Sequence, residues 1–271
     1  MPAEGISAGT TTIGTGLSSE VFPHGSDRVL KLYREPVEPA AVENEFRASA
    51  LAYTRGLPVA RPIALLKRNG RTGILFERLH GPTMLRHYAR NPIGMLLALR
   101  RLAAIQHGLH ALPAADLPSQ HDRLAHDIGW ARVPEATRDA ALSVLDRLPR
   151  GAAFCHNDIH PGNVLCTSDG LAVIDWQKAG AGCPAADVAR TELVIRYGRL
   201  PKHGRARADR LRGIAADWYV RCYRGLSGLG RAEIRAWHLP LMVARLCAGR
   251  TDNDAQILEI VDRLLSVRQA G

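Results

Sequence analysis

The spacing of hydrophobic and polar positions changes character once along this chain. Before about residue 80 the apolar runs are short. Residues 10–17, 19–22 and 28–33 read as strands, punctuated by Gly14, Gly16 and the turn-forming run Pro23-His24-Gly25-Ser26-Asp27. Three strands in succession predict an antiparallel meander. Beyond Pro36 and Pro39, residues 40–53 set Val42, Phe46, Ala50 and Leu51 at helical spacing, closed by Gly56. Residues 63–66 and 73–76 then flank Asn69-Gly70, a hairpin signal.

From Pro82 the period lengthens. Helices are predicted over 83–90, 93–112, 134–148, 184–197, 205–223, 231–248 and 254–267. Short apolar runs interrupt them at 154–165 and 173–176, around the polar loop that holds His156, Asp158, His160 and Asn163. The fold class expected is α+β: a small antiparallel sheet with one helix in residues 1–79, and a larger, mainly helical part in residues 80–271. No internal repeat or long low-complexity linker divides the chain further.

The 46% hydrophobic content is enough for a real core. No apolar run reaches the ~18 to 20 residues of a membrane helix. The opening Met1-Pro2-Ala3-Glu4-Gly5 has neither the basic nor the apolar region of a signal peptide. The expectation is a cytoplasmic protein without a membrane partner. Five scattered cysteines with no Cys-x-x-Cys pair argue against a disulfide framework or a structural zinc site, and most read as small core residues. The net charge of +10 calls for an anionic partner. Nucleic acid is not expected, because the basic residues are dispersed apart from 202–212 and lack aromatic interleaving. A polyphosphate ligand satisfies the same balance. Only Lys31, Lys67, Lys178 and Lys202 are lysines, so each stands out against the arginines.

Three clusters carry candidate chemistry. Asp158 and Asn163 form Asp-x-x-x-x-Asn, and Asp175 ends the apolar run after the next turn. Folded back at Pro161-Gly162, the loop would offer the Asn163 carbonyl and Asp175 as hard oxygen ligands for Mg²⁺, with Asp158 left to orient a hydroxyl. Asp158 and Asn163 also fit as turn-formers beside Pro-Gly. Lys31 sits inside the apolar Val29-Leu30-Lys31-Leu32-Tyr33, with Glu45 on the next helix as a partner, a pairing suited to a phosphate-binding cation. An alternating strand can equally turn such a lysine outward. Finally, Gly14-Thr15-Gly16-Leu17-Ser18-Ser19 could cover phosphates with backbone N–H groups, helped by Ser18 and Ser19, although glycine-rich hairpins are common.

The order of these parts is that of kinase-type phosphoryl transfer. On the motifs His156-Asn157-Asp158-Ile159-His160-Pro161-Gly162-Asn163, Val173-Ile174-Asp175-Trp176 and Pro184-Ala185-Ala186-Asp187, the chain resembles the aminoglycoside phosphotransferase and choline kinase family. Glu45, Glu77-Arg78-Leu79 and Leu109-His110-Ala111-Leu112-Pro113 support the match, which runs from about Gly14 to Arg190. The resemblance implies a bilobal, protein-kinase-like fold, with a nucleotide-binding lobe in 1–79 and a catalytic, acceptor-binding lobe in 80–271. It implies Asp158 as the catalytic aspartate, Asn163 and Asp175 as Mg²⁺ ligands, and Lys31 as the phosphate-binding lysine paired with Glu45. The glycine turn with Gly14, Gly16, Ser18 and Ser19, and the Glu77 to Leu79 hinge, complete the nucleotide site, and Asp187 braces the catalytic loop. Two positions depart from the family pattern, Asn157 for a glycine and Cys183 for an aspartate. Asparagine tolerates φ > 0, and cysteine is a poor N-cap.

The function so implied is transfer of the γ-phosphate of ATP, with Mg²⁺, to a hydroxyl of a small molecule: an aminoglycoside-like antibiotic, which would make resistance the role, an amino alcohol, or a related metabolite. A protein kinase fits less well, because only a few residues separate Asp175 from the helix at Pro184. A non-catalytic nucleotide-binding regulator would not need Lys31, Asp158, Asn163 and Asp175 together. A metallohydrolase using His156, Asp158 and His160 as alternate strand positions is a further alternative, weakened by Pro161-Gly162. Trp218, Tyr219, Tyr223 and Trp237 are available for a choline cage, and Asp209, Asp217, Asp252 and Asp254 for a cationic acceptor. Oligomeric state is not legible in the residues.

Overall fold

The computed structural model describes residues 11–16, 18–114, 116–198, 205–247 and 254–269. Thr10 and Leu17 of the first predicted strand, 202–204 of the basic run, and Asp252 lie outside the described residues. The chain forms two compact units. One takes in the chain up to Thr83 together with Val164–Lys178, the other Met84–Asn163 and the chain from Ala179 onward.

The first unit is built on an antiparallel sheet of β1 (Gly14–Thr15), β2 (Ser19–His24), β3 (Arg28–Tyr33), β4 (Pro62–Arg68) and β5 (Arg71–Glu77), with α1 (Pro39–Thr54) between β3 and β4. The spatial order is β1-β2-β3-β5-β4, so the expected meander is extended by a hairpin whose second strand lies against β3. That hairpin turns at Asn69 and Gly70, both at positive φ (49° and 76°), as a two-residue turn requires. The first predicted strand is reduced to two paired residues, because the Gly16 N–H bends back to the Ser19 carbonyl at 2.8 Å. Helix α1 starts on Pro39, whose missing N–H costs nothing in the first turn. Val42 of α1 packs with Tyr33, Ile74 and Phe76 into a buried cluster.

The hairpin Val164–Thr167 and Gly170–Val173 belongs to this unit as well. Its Val173 N–H bonds the Pro58 carbonyl at 2.7 Å and its Cys166 N–H the Pro82 carbonyl at 2.9 Å. Gly81 makes that approach possible: it has φ 147°, and a Cβ there would lie 1.9 Å from the Cys166 carbonyl oxygen. The hairpin delivers Asp175 and a short 3-10 turn, Trp176–Lys178, to the first unit.

The second unit is mainly helical: α2 (Met84–His87), α3 (Pro92–His110), α4 (Gln120–Gly129), α5 (Glu135–Leu145), α6 (Pro184–Tyr197), α7 (Arg205–Ser227), α8 (Arg231–Ala236), α9 (His238–Ala244) and α10 (Asp254–Gln269). Strands Ala153–Cys155 and Gly180–Gly182 pair antiparallel beneath the polar loop's entry. Leu99, Leu102 and Leu109 of α3 and Ala216, Tyr219 and Val220 of α7 are among its buried core. Among the described residues no helix is long and apolar enough to cross a membrane.

Three helices differ from expectation. The predicted helix 231–248 is split at Trp237, since Pro240 has no N–H to give the Ala236 carbonyl one turn earlier. Residues 83–90 form a single turn of helix. Helix α4 was not anticipated, although Ser119 and Asp122 carry a start signal: the Ser119 hydroxyl accepts the Asp122 N–H at 3.2 Å. Within the basic run, Arg212 is a structural cation, donating to the carbonyls of Ile195, Val194 and Gly198 at the end of α6.

Gly81→Ala would combine a backbone conformation reserved for glycine with a clash against a carbonyl. It is expected to lower unfolding stability by about 2 to 3 kcal/mol, read from a urea or thermal melt.

Candidate phosphoryl-transfer site

In the first unit, β3 is covered on both faces: Leu30, Lys31, Leu32 and Tyr33 are all buried. Lys31 therefore does not turn outward. Its ammonium donates to both oxygens of Glu45 at 2.7 and 2.9 Å and to Asp175 Oδ1 at 2.7 Å. Glu45 comes from the buried face of α1 and also accepts the Tyr33 hydroxyl. Burial opposes the charge on Lys31, but the two carboxylates outweigh it and raise its proton affinity above that of an ordinary lysine. Burial first, and then the Glu45 charge, push the Tyr33 hydroxyl far up, so it remains a donor. Asp175 itself has φ 67°, an uncommon conformation for a non-glycine residue.

The other residues expected at a nucleotide site belong to the same unit. Gly14 pairs with Val21, Gly16 closes on Ser19, and Ser19 is buried. The Ser18 hydroxyl donates to Gln177 Oε1 at 3.2 Å, two residues beyond Asp175, and Asn44 of α1 holds the Gln177 carbonyl at 3.1 Å. Glu77 ends β5 with its side chain exposed and its N–H on the Arg61 carbonyl at 2.9 Å, and Leu79 follows, half-buried.

In the second unit, residues 156–163 form a loop with no strand. The geometry for a metal held by His156, Asp158 and His160 at alternate strand positions is therefore absent. The two histidines brace the loop instead: His156 Nδ1 accepts the Asp158 N–H at 3.2 Å, and His160 Nδ1 the Gly162 N–H at 3.0 Å. The Asn163 amide nitrogen donates to the Asp158 carbonyl at 3.0 Å, which leaves its amide oxygen as the side chain's donor to a cation. Arg190 on α6 sets its Nε 3.4 Å from Asp158 Oδ1.

The loop hangs on Asp187, in the first turn of α6 and wholly buried. Its two oxygens accept the N–H groups of His156 at 3.0 Å and Asn157 at 2.7 Å. Burial opposes ionisation of Asp187, yet the His110 hydrogen bond and charge prevail and hold its carboxyl below the usual aspartate range. His110 Nε2 thus donates to Asp187 at 3.0 Å, and His110 Nδ1 faces the Tyr223 hydroxyl at 2.6 Å. Asn157 has φ 63°, and its side-chain oxygen accepts from Gln120, whose own Oε1 takes the Cys183 N–H at 2.9 Å. Cys183 gives no side-chain cap to α6.

His110, Cys155 and Asp187 bring one ligand atom each within 4.8 Å of one another. Hydrogen bonds already account for His110 and Asp187, while burial raises Cys155 well above an ordinary thiol and keeps it protonated. Cys155 and Cys183 are buried; Cys166, Cys222 and Cys247 are only half-buried, so the core reading of the cysteines holds for two. Tyr219, Tyr223 and Trp237 are buried, and Trp218 donates to the Leu96 carbonyl at 2.8 Å. Tyr223 and Trp237 border a cavity of about 520 Å³ whose lining includes neither Asp158 nor Asn163. Asp217 is occupied by Arg196 at 2.6 Å and Arg231 at 3.1 Å.

Sequence reasoning missed Tyr33, Gln120 and Arg190, and named Tyr223 only as an aromatic for a choline cage. Two had a signal: Tyr33 follows Lys31 by two on a strand, and Arg190 follows Asp187 by three on a helix. Gln120, and the contact of Tyr223 with His110, had none.

Asp187→Asn would put an amide N–H against two backbone donors. It is expected to cost about 3 to 5 kcal/mol at neutral pH. Because the folded carboxyl sits below its ordinary 3.8, its contribution is present above that value and lost as pH falls through the folded value. The stability gap between wild type and variant, measured by urea denaturation, should therefore close in acid below about pH 4.

The family model described as Phosphotransferase enzyme family matches residues 9–226. Among curated proteins the chain is similar to a thiamine kinase of Escherichia coli, 28% identical over 185 residues, a match taking in 66% of this chain and 64% of that protein. The chain thus spans under two thirds of the length of the curated relatives it matches. Among solved structures it is similar to a thermostable mutant of aminoglycoside phosphotransferase APH(4)-Ia in ternary complex with ADP and hygromycin B. There the TM-score is 0.66 at 18% identity, covering 96% of this chain and 94% of that one. Aminoglycoside phosphotransferase APH(3'')-Id from Streptomyces rimosus aligns with a TM-score of 0.59 at 22% identity, covering 86% and 93% of the two chains. At such identities the likeness bears on the fold, which is the α+β, kinase-like arrangement expected. With the family model matched over most of its length, the chain belongs to the Phosphotransferase enzyme family.

Proposed function

We propose that this protein is an ATP- and Mg²⁺-dependent kinase that phosphorylates a hydroxyl of a small molecule. The observation that carries the reading is Lys31: an ammonium inside a strand, held by Glu45 on one side and Asp175 on the other. A cation is costly to bury and needs partners, and a phosphate chain is a ligand that can share it. The reading assigns nucleotide binding to residues 1–79, with the turn of Gly14, Gly16, Ser18 and Ser19 over the phosphates and the backbone of Glu77 to Leu79 at the base. Catalysis and acceptor binding fall to residues 80–271.

Asn163 and Asp175 are the residues that would hold Mg²⁺, and their donors fit: both present hard oxygens, and the Asn163 amide nitrogen is already spent on the Asp158 carbonyl. When bound, the ion neutralises charge on the β- and γ-phosphates. Asp158 orients the acceptor hydroxyl and takes its proton as the oxygen bonds to the γ-phosphorus. The bond from that phosphorus to the β,γ-bridging oxygen breaks, and ADP leaves with the electron pair. Positioning and charge stabilisation supply most of the acceleration. The named relatives, a thiamine kinase and two aminoglycoside phosphotransferases, support a small hydroxylated acceptor over a protein. An aminoglycoside-like compound, an amino alcohol and a related metabolite all fall within this reading.

Asp158→Ala is expected to reduce ADP formation in the presence of acceptor by about 10²- to 10⁴-fold. The shift in melting temperature caused by ADP with Mg²⁺ should survive in the variant. Undiminished turnover would remove Asp158 from the chemistry.

A further inference from the structure

Within its own unit Asp158 faces the guanidinium of Arg190. Arg190 reaches it through Nε alone, at 3.4 Å, where a guanidinium and a carboxylate can form a shorter, two-pronged pair. Among the described residues no acceptor engages the two terminal nitrogens of Arg190. Both side chains are partly open to solvent, 17% for Arg190 and 20% for Asp158. A polycationic acceptor would meet a like charge here.

We propose that the acceptor carries an acidic group, a carboxylate or a phosphate, which Arg190 binds through its terminal nitrogens, while the acceptor hydroxyl takes Asp158. This rests on the kinase reading above and names its substrate class. The contact in the free protein has the properties such a site needs. It is long and one-pronged, so it exchanges readily for a bidentate anion.

The test uses the full chain with Mg²⁺ and γ-labelled ATP against a bacterial small-molecule extract split by ion exchange into acidic, neutral and basic fractions. Label should enter a product from the acidic fraction. Treating that fraction with immobilised alkaline phosphatase, removed before ATP is added, tells a phosphate-bearing acceptor from a carboxylate-bearing one. Arg190→Ala should raise KM for the labelled acidic compound by about 10- to 100-fold, the loss of a charge-assisted pair, with a smaller change in kcat. Arg190→Lys should recover part of that loss. The ADP-induced melting shift, unchanged in both variants, shows that they are folded. Transfer only to compounds of the neutral or basic fraction overturns the inference and leaves the kinase reading standing. A fall in kcat at unchanged KM also overturns it, making Arg190 a positioning residue for Asp158. Absence of transfer to every fraction defeats the kinase reading itself.

Discussion

The geometry around Asp158 depends on one fully buried carboxylate. Asp187 has no contact with solvent, and an isolated charge in that place would be prohibitively costly. It is tolerated because two consecutive backbone N–H groups and an imidazole converge on it. The same bonds fix the loop. With His156 and Asn157 tied to α6, the chain must turn through positive φ at Asn157, and Asp158 emerges on the far side. Gln120 on α4, His110 on α3 and Tyr223 on α7 tie back what Asp187 holds. Four helices, α3, α4, α6 and α7, thus support a loop of eight residues.

The first unit meets the opposite problem, a buried cation, and solves it with the same economy. Lys31 is flanked by Leu30 and Leu32 in a strand covered on both sides, so its charge requires anionic partners close by. Glu45 is fixed by α1 and by the Tyr33 hydroxyl; Asp175 is fixed by a hairpin that Gly81 and Pro82 bind to the unit. The strain at Asp175 is the local cost of turning one carboxylate toward the lysine. A residue in an unfavourable conformation, a buried ammonium and a polar helix face then form one arrangement, and each would be destabilising without the others.

What the sequence made legible follows from how local its signals are. Lys31 with Glu45, and Asp158 with Asn163, stand out because an ionic residue interrupts an apolar run or a turn motif. The long helices α3, α6 and α7 are legible from period, and the α+β class from the change of period at residue 80. Pro240, which splits α8 from α9, was visible as a residue and was outweighed by the apolar pattern around it. The supporting residues were hidden for a different reason. Nothing local distinguishes Gln120 from any exposed glutamine, or Tyr223 from a core aromatic; their roles exist only once α4 and α7 are packed. The attachment of the Asp175 hairpin to the first unit depends on Gly81 meeting the Cys166 carbonyl, a tertiary approach that spacing alone does not encode.

Both carboxylates of the proposed site, Asp175 as metal ligand and Asp158 as base, carry an internal counterion. Asp175 is engaged by Lys31 and Asp158 by Arg190, each within its own unit. Ligand binding in the proposed reaction is then an exchange of partners, in which a cation passes from a protein carboxylate to an incoming anion. Such an exchange avoids stranding a charge when water is excluded, and it makes the free protein resistant to binding the wrong ligand. The two pairs differ in strength. Lys31 is nearly dehydrated and bonded at 2.7 Å to each carboxylate, so only a ligand as highly charged as a polyphosphate competes for it. Arg190 holds Asp158 loosely and in view of solvent, so a single acidic group suffices. The gradation suits the proposed reaction, in which a nucleotide is held firmly and an acceptor reversibly.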